Sequence, residues 1–449
     1  MRTPDHDKSR AGARPPRVRR SRIYLAIMAS AIACGAHAGR LDYQLEMTAL
    51  KSDNINQSED NEAKENVFIP RLKFDFVEEG ASVDVKARGE IERRHYGNDN
   101  FDDETRSAFA GRINWSVLPR RLSLVAEDYL SEQPINIRDG RYPGNLQQVN
   151  VFIAGPSMFA RFGEATRFQM DLRGADTYAE VTPGFDSRRY SASAILGQTF
   201  GASAEASLHV TATKADFDET DPNIVVDYVR RDAFLRYEGR QRNVSYVVDL
   251  GGARVDRDLA SDANTTIARL TVEWQPNTSS RLRLRARRQF ADEVQDLILR
   301  LSDPEEALVA DLADPGSSQV SGSVYRQRDV ELDYRYRGER FSFRVRPRDR
   351  NLDYLSRDDS SRTERSMAFQ MGYLLRPRLN TFVDGLVRVR DFSTRDQRDI
   401  DHIYRLGVDY QVTRHWGWRA ELIRNKRDSN LDDPYYVEHV AQMTVWWKR

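Results

Sequence analysis

The sequence predicts an all-β protein, a single antiparallel transmembrane β-barrel of about 20 strands with a range of 16–20. Three observations predict it. Segments of about ten residues alternate between an apolar and a charged face. Tight turns recur along the chain, with longer polar loops between them. Aromatic residues cluster beside the tight turns, in the apolar phase. A soluble sandwich also alternates, but its strands average about five or six residues, shorter than these.

Composition narrows the classes. The chain has 449 residues, 69 of them basic and 69 acidic, so its formal net charge is zero. That balance argues against a general nucleic-acid binder, which carries a basic surface. Eight of the basic residues are lysine, leaving 61 arginines. Mean hydropathy is −0.69. No apolar run reaches the roughly 18 residues of a transmembrane helix.

The N-terminal residues 1–38 read as an export signal. Arg14, Arg17, Arg19, Arg20 and Arg22 form a basic region, and Ile23 to Cys34 form a short apolar stretch. "AHA", Ala36 to Ala38, fits small-x-small cleavage, leaving 39–449 as the barrel. The alternatives are an uncleaved anchor, or lipidation at Cys34, where Ala31 stands in place of the usual leucine. Cys34 is the only cysteine, so the processed chain has no disulfide, thiolate or cysteine-based zinc chemistry.

The strands follow in order. Leu41, Tyr43, Leu45 and Met47 share one face, as do Leu72, Phe74 and Phe76. The same period-two pattern places Phe109, Ile113, Trp115 and Val117 together, then Phe168, Met170 and Leu172. It continues with Ala268, Leu270, Val272 and Trp274, and closes with Trp416, Trp418, Ala420 and Leu422. The opposite phase is polar, as in Arg71, Lys73 and Asp75, or Gln169, Asp171 and Arg173. Tight turns fall near residues 79, 119, 164, 201, 240, 277, 338, 377 and 413. Nine hairpins give 18 strands, and segments 41–50 and 435–447 bring the count to 20. Short turns then line the periplasmic rim and long loops the extracellular one. The turn-proximal aromatics form a periplasmic girdle that includes Phe76, Trp115, Phe162, Tyr237, Trp274, Tyr373 and Trp416.

One interval is longer. Residues 292–322 form a long, partly helical and acidic loop, with Val294, Leu297, Ile298 and Leu301 at helical spacing. "SDPEE" reads as a second helix start, with Pro304 in its first turn. Such a loop either enters the lumen as a constriction or cap, or rides above the membrane.

The charged phase points to chemistry. In "RLRLRARRQF", Leu282, Leu284 and Ala286 face lipid, while Arg281, Arg283, Arg285 and Arg287 face the lumen. Arg288 and Phe290 extend the lipid phase toward the outer rim. Arg335 and Arg337, Arg344, Arg346 and Arg348, and Arg388 and Arg390 repeat the inward pattern. Early strands add inward acids Asp42, Glu46, Asp75, Asp84 and Glu90. The candidate binding wall is therefore Arg283, Arg285, Arg287, Arg335, Arg344, Arg346, Arg388 and Arg390. It either guides a polyanion or braces the barrel through arginine–carboxylate pairs.

No catalytic, metal or cofactor constellation emerges. His95, His209, His402, His415 and His439 remain after residue 38, and none has zinc-ligand spacing. His209 points inward near Ser207 and Thr211, as ordinary lumen residues do. The acidic loops "DFDETD" and "DRDLASD" lack the EF-hand spacing for calcium.

The stretch from "WSVLPRRLSLVAEDYLSEQPIN" through "NVFIAGPSMFARFGEATRFQMDLRGADTYAE" resembles outer-membrane barrels encoded with exopolysaccharide and PEP-CTERM/exosortase systems, the EpsL-like proteins. The Trp115–Pro119–Leu122 turn, the inward "AEDYL" and the "NVFIAGP" strand carry the likeness, with weaker similarity through "DAFLRYEGRQRNVSYVVDLGGARVDRD". The resemblance covers about half of the chain. It implies a Gram-negative outer-membrane location and a role in polysaccharide secretion or surface organisation, and it supplies no catalytic residues. The chain departs from the usual terminal aromatic, since "WWKR" places Trp447 two residues before the end.

The expected function is a porin-like channel for exopolysaccharide secretion, its lumen lined by arginines that hold and release anionic groups. The alternatives are a plugged structural or adhesion barrel and an outer-membrane polysaccharide-modifying enzyme. Expected partners are membrane lipid, a polysaccharide, anionic in the leading reading, and the outer-membrane assembly machinery, with no nucleic acid.

Overall fold

The computed structural model describes residues 39–219, 221, 225–302, 320–355, 360–394, 396–431 and 435–449. The export signal and the Pro304 helix start lie outside them.

Alternating, β-branched and aromatic-rich segments pair into one 20-stranded antiparallel sheet. In order these are β1 (Arg40–Ser52), β2 (Glu65–Glu79), β3 (Val83–Tyr96), β4 (Glu104–Leu118), β5 (Leu122–Pro134), β6 (Leu146–Phe162) and β7 (Thr166–Ala179). Then follow β8 (Ser187–Phe200), β9 (Ala204–Phe217), β10 (Tyr228–Gln241), β11 (Val244–Arg257), β12 (Ala263–Asn277) and β13 (Ser280–Ala291). A helix, α1 (Glu293–Ser302), precedes β14 (Tyr325–Arg337). The chain ends with β15 (Phe341–Tyr354), β16 (Arg362–Arg376), β17 (Leu379–Phe392), β18 (Gln397–Gln411), β19 (Trp416–Ser429) and β20 (Tyr436–Lys448).

Each strand pairs with its sequence neighbour, and β1 pairs with β20 from Gln44 opposite Lys448 to Ser52 opposite Val440. That last pairing closes the barrel. Closure leaves no open edge, which is the condition for a sheet to sit in hydrocarbon. The expected all-β barrel of about 20 strands is therefore the fold observed.

The nine tight turns all fall where the sequence places them, between β2 and β3 and then at every second junction. Gly163 (φ 70°) and Gly201 (φ 65°) supply the left-handed backbone at two of these turns. Arg120, Arg242 and Arg378 adopt positive φ at three others. Gly155 serves a different purpose, because a Cβ there would lie 2.0 Å from the Leu172 carbonyl oxygen on β7.

The apolar phase is exposed on the outer wall. Leu235 is 63% exposed and Leu250 60%. A belt of this kind, on a closed barrel, is the architecture of an outer-membrane protein. Trp115, Phe162, Tyr237, Trp274, Tyr373 and Trp416 are exposed beside the short turns, as a girdle requires. Phe76 is not an exposed member, because it packs into a cluster with Val85, Ala87 and Phe109. Phe290 also departs from expectation. It is fully buried among Val255, Ala263 and Val324, covered where the segment before β14 folds against the outer strand ends.

The phase also corrects "AEDYL". Glu127 pairs with Arg112 at 3.4 Å on the lumen side. Asp128 shares the phase of exposed Leu124, on the other face, where it is buried and accepts a hydrogen bond from Asn150 Nδ2 at 2.7 Å.

Candidate functional site: an arginine-braced lumen with two inserted segments

Antiparallel register sets the lumen chemistry, since residues opposite each other on one face share a row. Arg283 lies opposite Asp333, Arg285 opposite Glu331, and Arg287 opposite Asp329. β15 adds Arg348 opposite Glu331 and Arg350 opposite Asp329. Carboxylates on β14 therefore sit between arginines on both sides.

The contacts follow that placement. Arg283 donates to Glu273 Oε2 from Nε at 3.0 Å and from Nη2 at 2.9 Å. Arg285 meets Glu331 at 3.4 Å. Arg287 Nε donates to Asp329 Oδ2 at 3.0 Å, and Arg348 Nε donates to its Oδ1 at 2.6 Å. Arg344 Nε donates to Asp333 Oδ1 at 2.9 Å. Arg388 donates to Asp401 from Nε at 3.1 Å and from Nη2 at 3.0 Å. Arg390 Nη2 lies 2.9 Å from the same carboxylate. Arg346 sits one row beyond Arg344, opposite Ala368. The structure thus gathers all eight wall arginines on the lumen face, and six of them meet carboxylates in these contacts.

Not every row alternates in sign, since Arg269 lies opposite Arg287. Arg281 lies opposite Arg335, and Arg335 opposite Arg344, so three arginines stand abreast on adjacent strands near the short-turn rim. Like charges directly opposite one another cost stability.

Two segments enter the lumen from the long-loop side. The first is α1. Asp292 caps it by accepting from the Gln295 N–H at 2.9 Å, and also accepts from Arg189 at 2.9 Å and from the Tyr228 hydroxyl at 3.1 Å. Asp296 accepts from the Tyr325 hydroxyl at 2.8 Å and pairs with Arg350. Glu293 accepts from the Tyr354 hydroxyl at 2.7 Å. The apolar face of α1, with Val294, Leu297, Ile298 and Leu301, packs on Tyr129, Val149, Val151, Ala179 and Phe185 of the opposite wall. Arg88 on β3 donates to the Leu301 carbonyl at the helix C-terminus, where a cation also suits the helix dipole. The helix therefore bridges the lumen from the β14–β16 wall to the β3–β7 wall.

Burial shapes the two acids at its start differently. Burial alone raises the Asp292 carboxyl, but Arg189 and Arg230 outweigh it and hold Asp292 below its ordinary value. For Glu293, burial and then repulsion from Asp296 push the carboxyl up to about 7, against the Tyr354 hydrogen bond and the cations Arg350 and Arg362.

The second insertion is the loop 135–145, which sequence reasoning did not single out. Arg390 Nη1 donates to the Ile137 carbonyl, and Arg427 Nη1 donates to the Arg138 carbonyl at 2.6 Å. Arg138 in turn lies 5.6 Å over the Phe392 ring. No helical or alternating period marks this loop. Beneath it lies a cavity of about 230 Å³ against β17–β20. A larger concavity of about 1080 Å³ lies on the outer wall, lined by Leu406, Leu422 and Met443, and belongs to the lipid-facing surface.

His209 stacks on Phe234 at 4.7 Å, with Nε2 2.9 Å from Ser207 Oγ. Among the described residues, no group of three or more His, Cys, Asp and Glu side chains is arranged to hold a metal.

No protein-family model matches the chain. No curated protein matches it either. Solved structures do. The siderophore receptor PirA of Pseudomonas aeruginosa is 13% identical over 91% of this chain and 80% of its own, with a TM-score of 0.44. OccK2 (OpdF) of Pseudomonas aeruginosa, solved with glucuronate, is 12% identical over 91% of this chain and 97% of its own, at 0.40. OprD of the same organism is 11% identical over 92% and 95%, at 0.38. At these identities and scores the likeness is one of overall architecture and says nothing of ligand or activity.

Proposed function

We propose that this chain is an outer-membrane channel whose arginine-lined lumen passes an anionic polysaccharide during secretion, as the EpsL-like resemblance implies. The Arg281–Arg335–Arg344 row carries the reading. Arg344 pairs with Asp333 and Arg281 stands 3.7 Å from Glu273, yet three guanidiniums abreast still group cationic side chains into a band at the periplasmic mouth. Such a band concentrates an acidic chain at the lumen entrance. Above it, the partly exposed guanidiniums of Arg283, Arg285 and Arg287 continue the cationic lining. Transport is passive and the residues position charge, with no bond made or broken.

The seating of α1 favours a second reading, a barrel plugged at rest. Planar-bilayer conductance separates the two. The channel reading expects anion-preferring conductance whose selectivity falls several-fold in an Arg281→Gln/Arg335→Gln variant. A plug expects conductance to appear only when residues 292–322 are deleted. A barrel that stays non-conducting after that deletion overturns the proposal.

A further inference from the structure

The cavity under the 135–145 loop differs in charge from the paired stretch of β13–β15. There Arg283, Arg285, Arg287 and Arg344 each meet a carboxylate. Here Arg388, Arg390 and Arg427 all converge on the single carboxylate of Asp401. Asp399 stands 3.9 Å from Arg390, but Gln397 and Ser429 already hydrogen-bond it. Arg141, on the loop, and Arg405, on β18, also line the cavity, with Asp139 as its second lining carboxylate among the described residues. Arg405 is held by Asp384 and Glu421, which leaves four guanidiniums, Arg141, Arg388, Arg390 and Arg427, facing Asp401 and Asp139.

Arg390 sharpens the imbalance. It is 1% exposed, and its Nε and Nη2 make no hydrogen bond, although Nη2 stands close to Asp401. Buried guanidinium donors left unmade are costly and call for an acceptor. The free space beside them, about 230 Å³, falls below the roughly 300–1,000 Å³ of pockets for drug-sized ligands. It suits one sugar-sized group. Asn425, Gln57 and Tyr436 add neutral polar side chains to the lining, suited to hydroxyls.

We propose that this cavity is a uronate subsite, in which the carboxylate of one acidic sugar residue takes the unmade donors of Arg390 and the loop cation Arg141. The proposal rests on the reading of the lumen as a polysaccharide path and names the residue class that path selects. Arg guanidiniums recognise carboxylates through paired parallel donors, which accounts for the choice of carboxylate over a neutral sugar.

The test is calorimetric titration of the full chain, folded in detergent micelles, with galacturonate, galactose and inorganic sulfate. One galacturonate is expected per barrel, with galactose and sulfate at least tenfold weaker. Arg390→Gln should weaken galacturonate at least tenfold. Because Arg390 also ties the loop, Arg141→Gln serves as the second variant. Arg141 is 39% exposed, and its contact to Glu132 is 3.9 Å, so its loss spares the wall. Galactose binding as well as galacturonate, or both variants binding as wild type, overturns the subsite. Sulfate binding as tightly reduces it to a generic oxyanion site and overturns the uronate assignment. Conductance of the same preparation keeps the two proposals apart. A conducting barrel that ignores galacturonate sinks the subsite alone, and a silent barrel that binds it sinks the channel alone.

Discussion

Asp401 shows what a single residue holds in this lumen. It is fully buried and accepts from Arg388 and Arg427, with Arg390 beside it. Removing one partner of a buried ion network leaves the others charged and dry, at a cost of about 3–5 kcal/mol. Asp401→Ala should therefore lower the unfolding free energy of the micelle-refolded barrel by that amount, read as an earlier urea midpoint of the heat-modifiable band on a gel. An unchanged midpoint would mean that water reaches these arginines. At this scale the sequence showed which way each arginine points, since alternation is local. It did not show whom each one meets. Arg283 finds Glu273 ten residues earlier, while Arg287 finds Asp329 forty-two residues later. Asp128 marks the same limit: "AEDYL" reads as inward, whereas Asp128 stands on the face opposite Glu127, covered by its neighbours and hydrogen-bonded by Asn150.

Among the elements, α1 is the one whose docking responds to pH. Glu293 has an ordinary value near 4.5 and is held at about 7 when docked. Docked helix therefore binds a proton that undocked helix has lost between those two pH values. Docking is strongest below about pH 4.5, weakens as pH rises, and is weakest above about pH 7. The groups facing Glu293 are Asp296, Tyr354, Arg350 and Arg362. Conductance is expected to rise several-fold from pH 5 to pH 8, and Glu293→Gln should flatten that profile. A steep profile surviving in the variant would assign the response elsewhere. The helix was legible because Val294, Leu297, Ile298 and Leu301 keep its period. The 135–145 loop was not, because what draws it inward is Arg390 and Arg427, more than 250 residues away.

Across the whole molecule, the barrel is a partition between two solvents. Every strand shows lipid one row and the polar lumen the next, so one substitution can test the partition. Leu235 lies mid-strand on β10, opposite Leu250, with 63% of its surface exposed. An arginine at a lipid-facing midplane position costs roughly 2–4 kcal/mol, falling toward zero near the interfaces. Leu235→Arg should lower the folding free energy into vesicles by that amount, while Thr211→Arg, on the lumen face two rows from Ser207, should cost far less. Equal losses would contradict the assignment of faces. By itself the sequence determined the strand count, the nine short turns, the two faces and the near-exclusion of helix. All of these depend on residues within a few positions of one another, where period and turn chemistry act. Tertiary structure alone decided the register in which β1 meets β20, that Phe76 and Phe290 leave the exposed outer face, and that the 135–145 loop joins α1 inside the lumen. It also decided that Asp401 must serve three arginines. Those outcomes depend on groups brought together across hundreds of residues, where burial and charge are settled by what stands opposite rather than by what stands next.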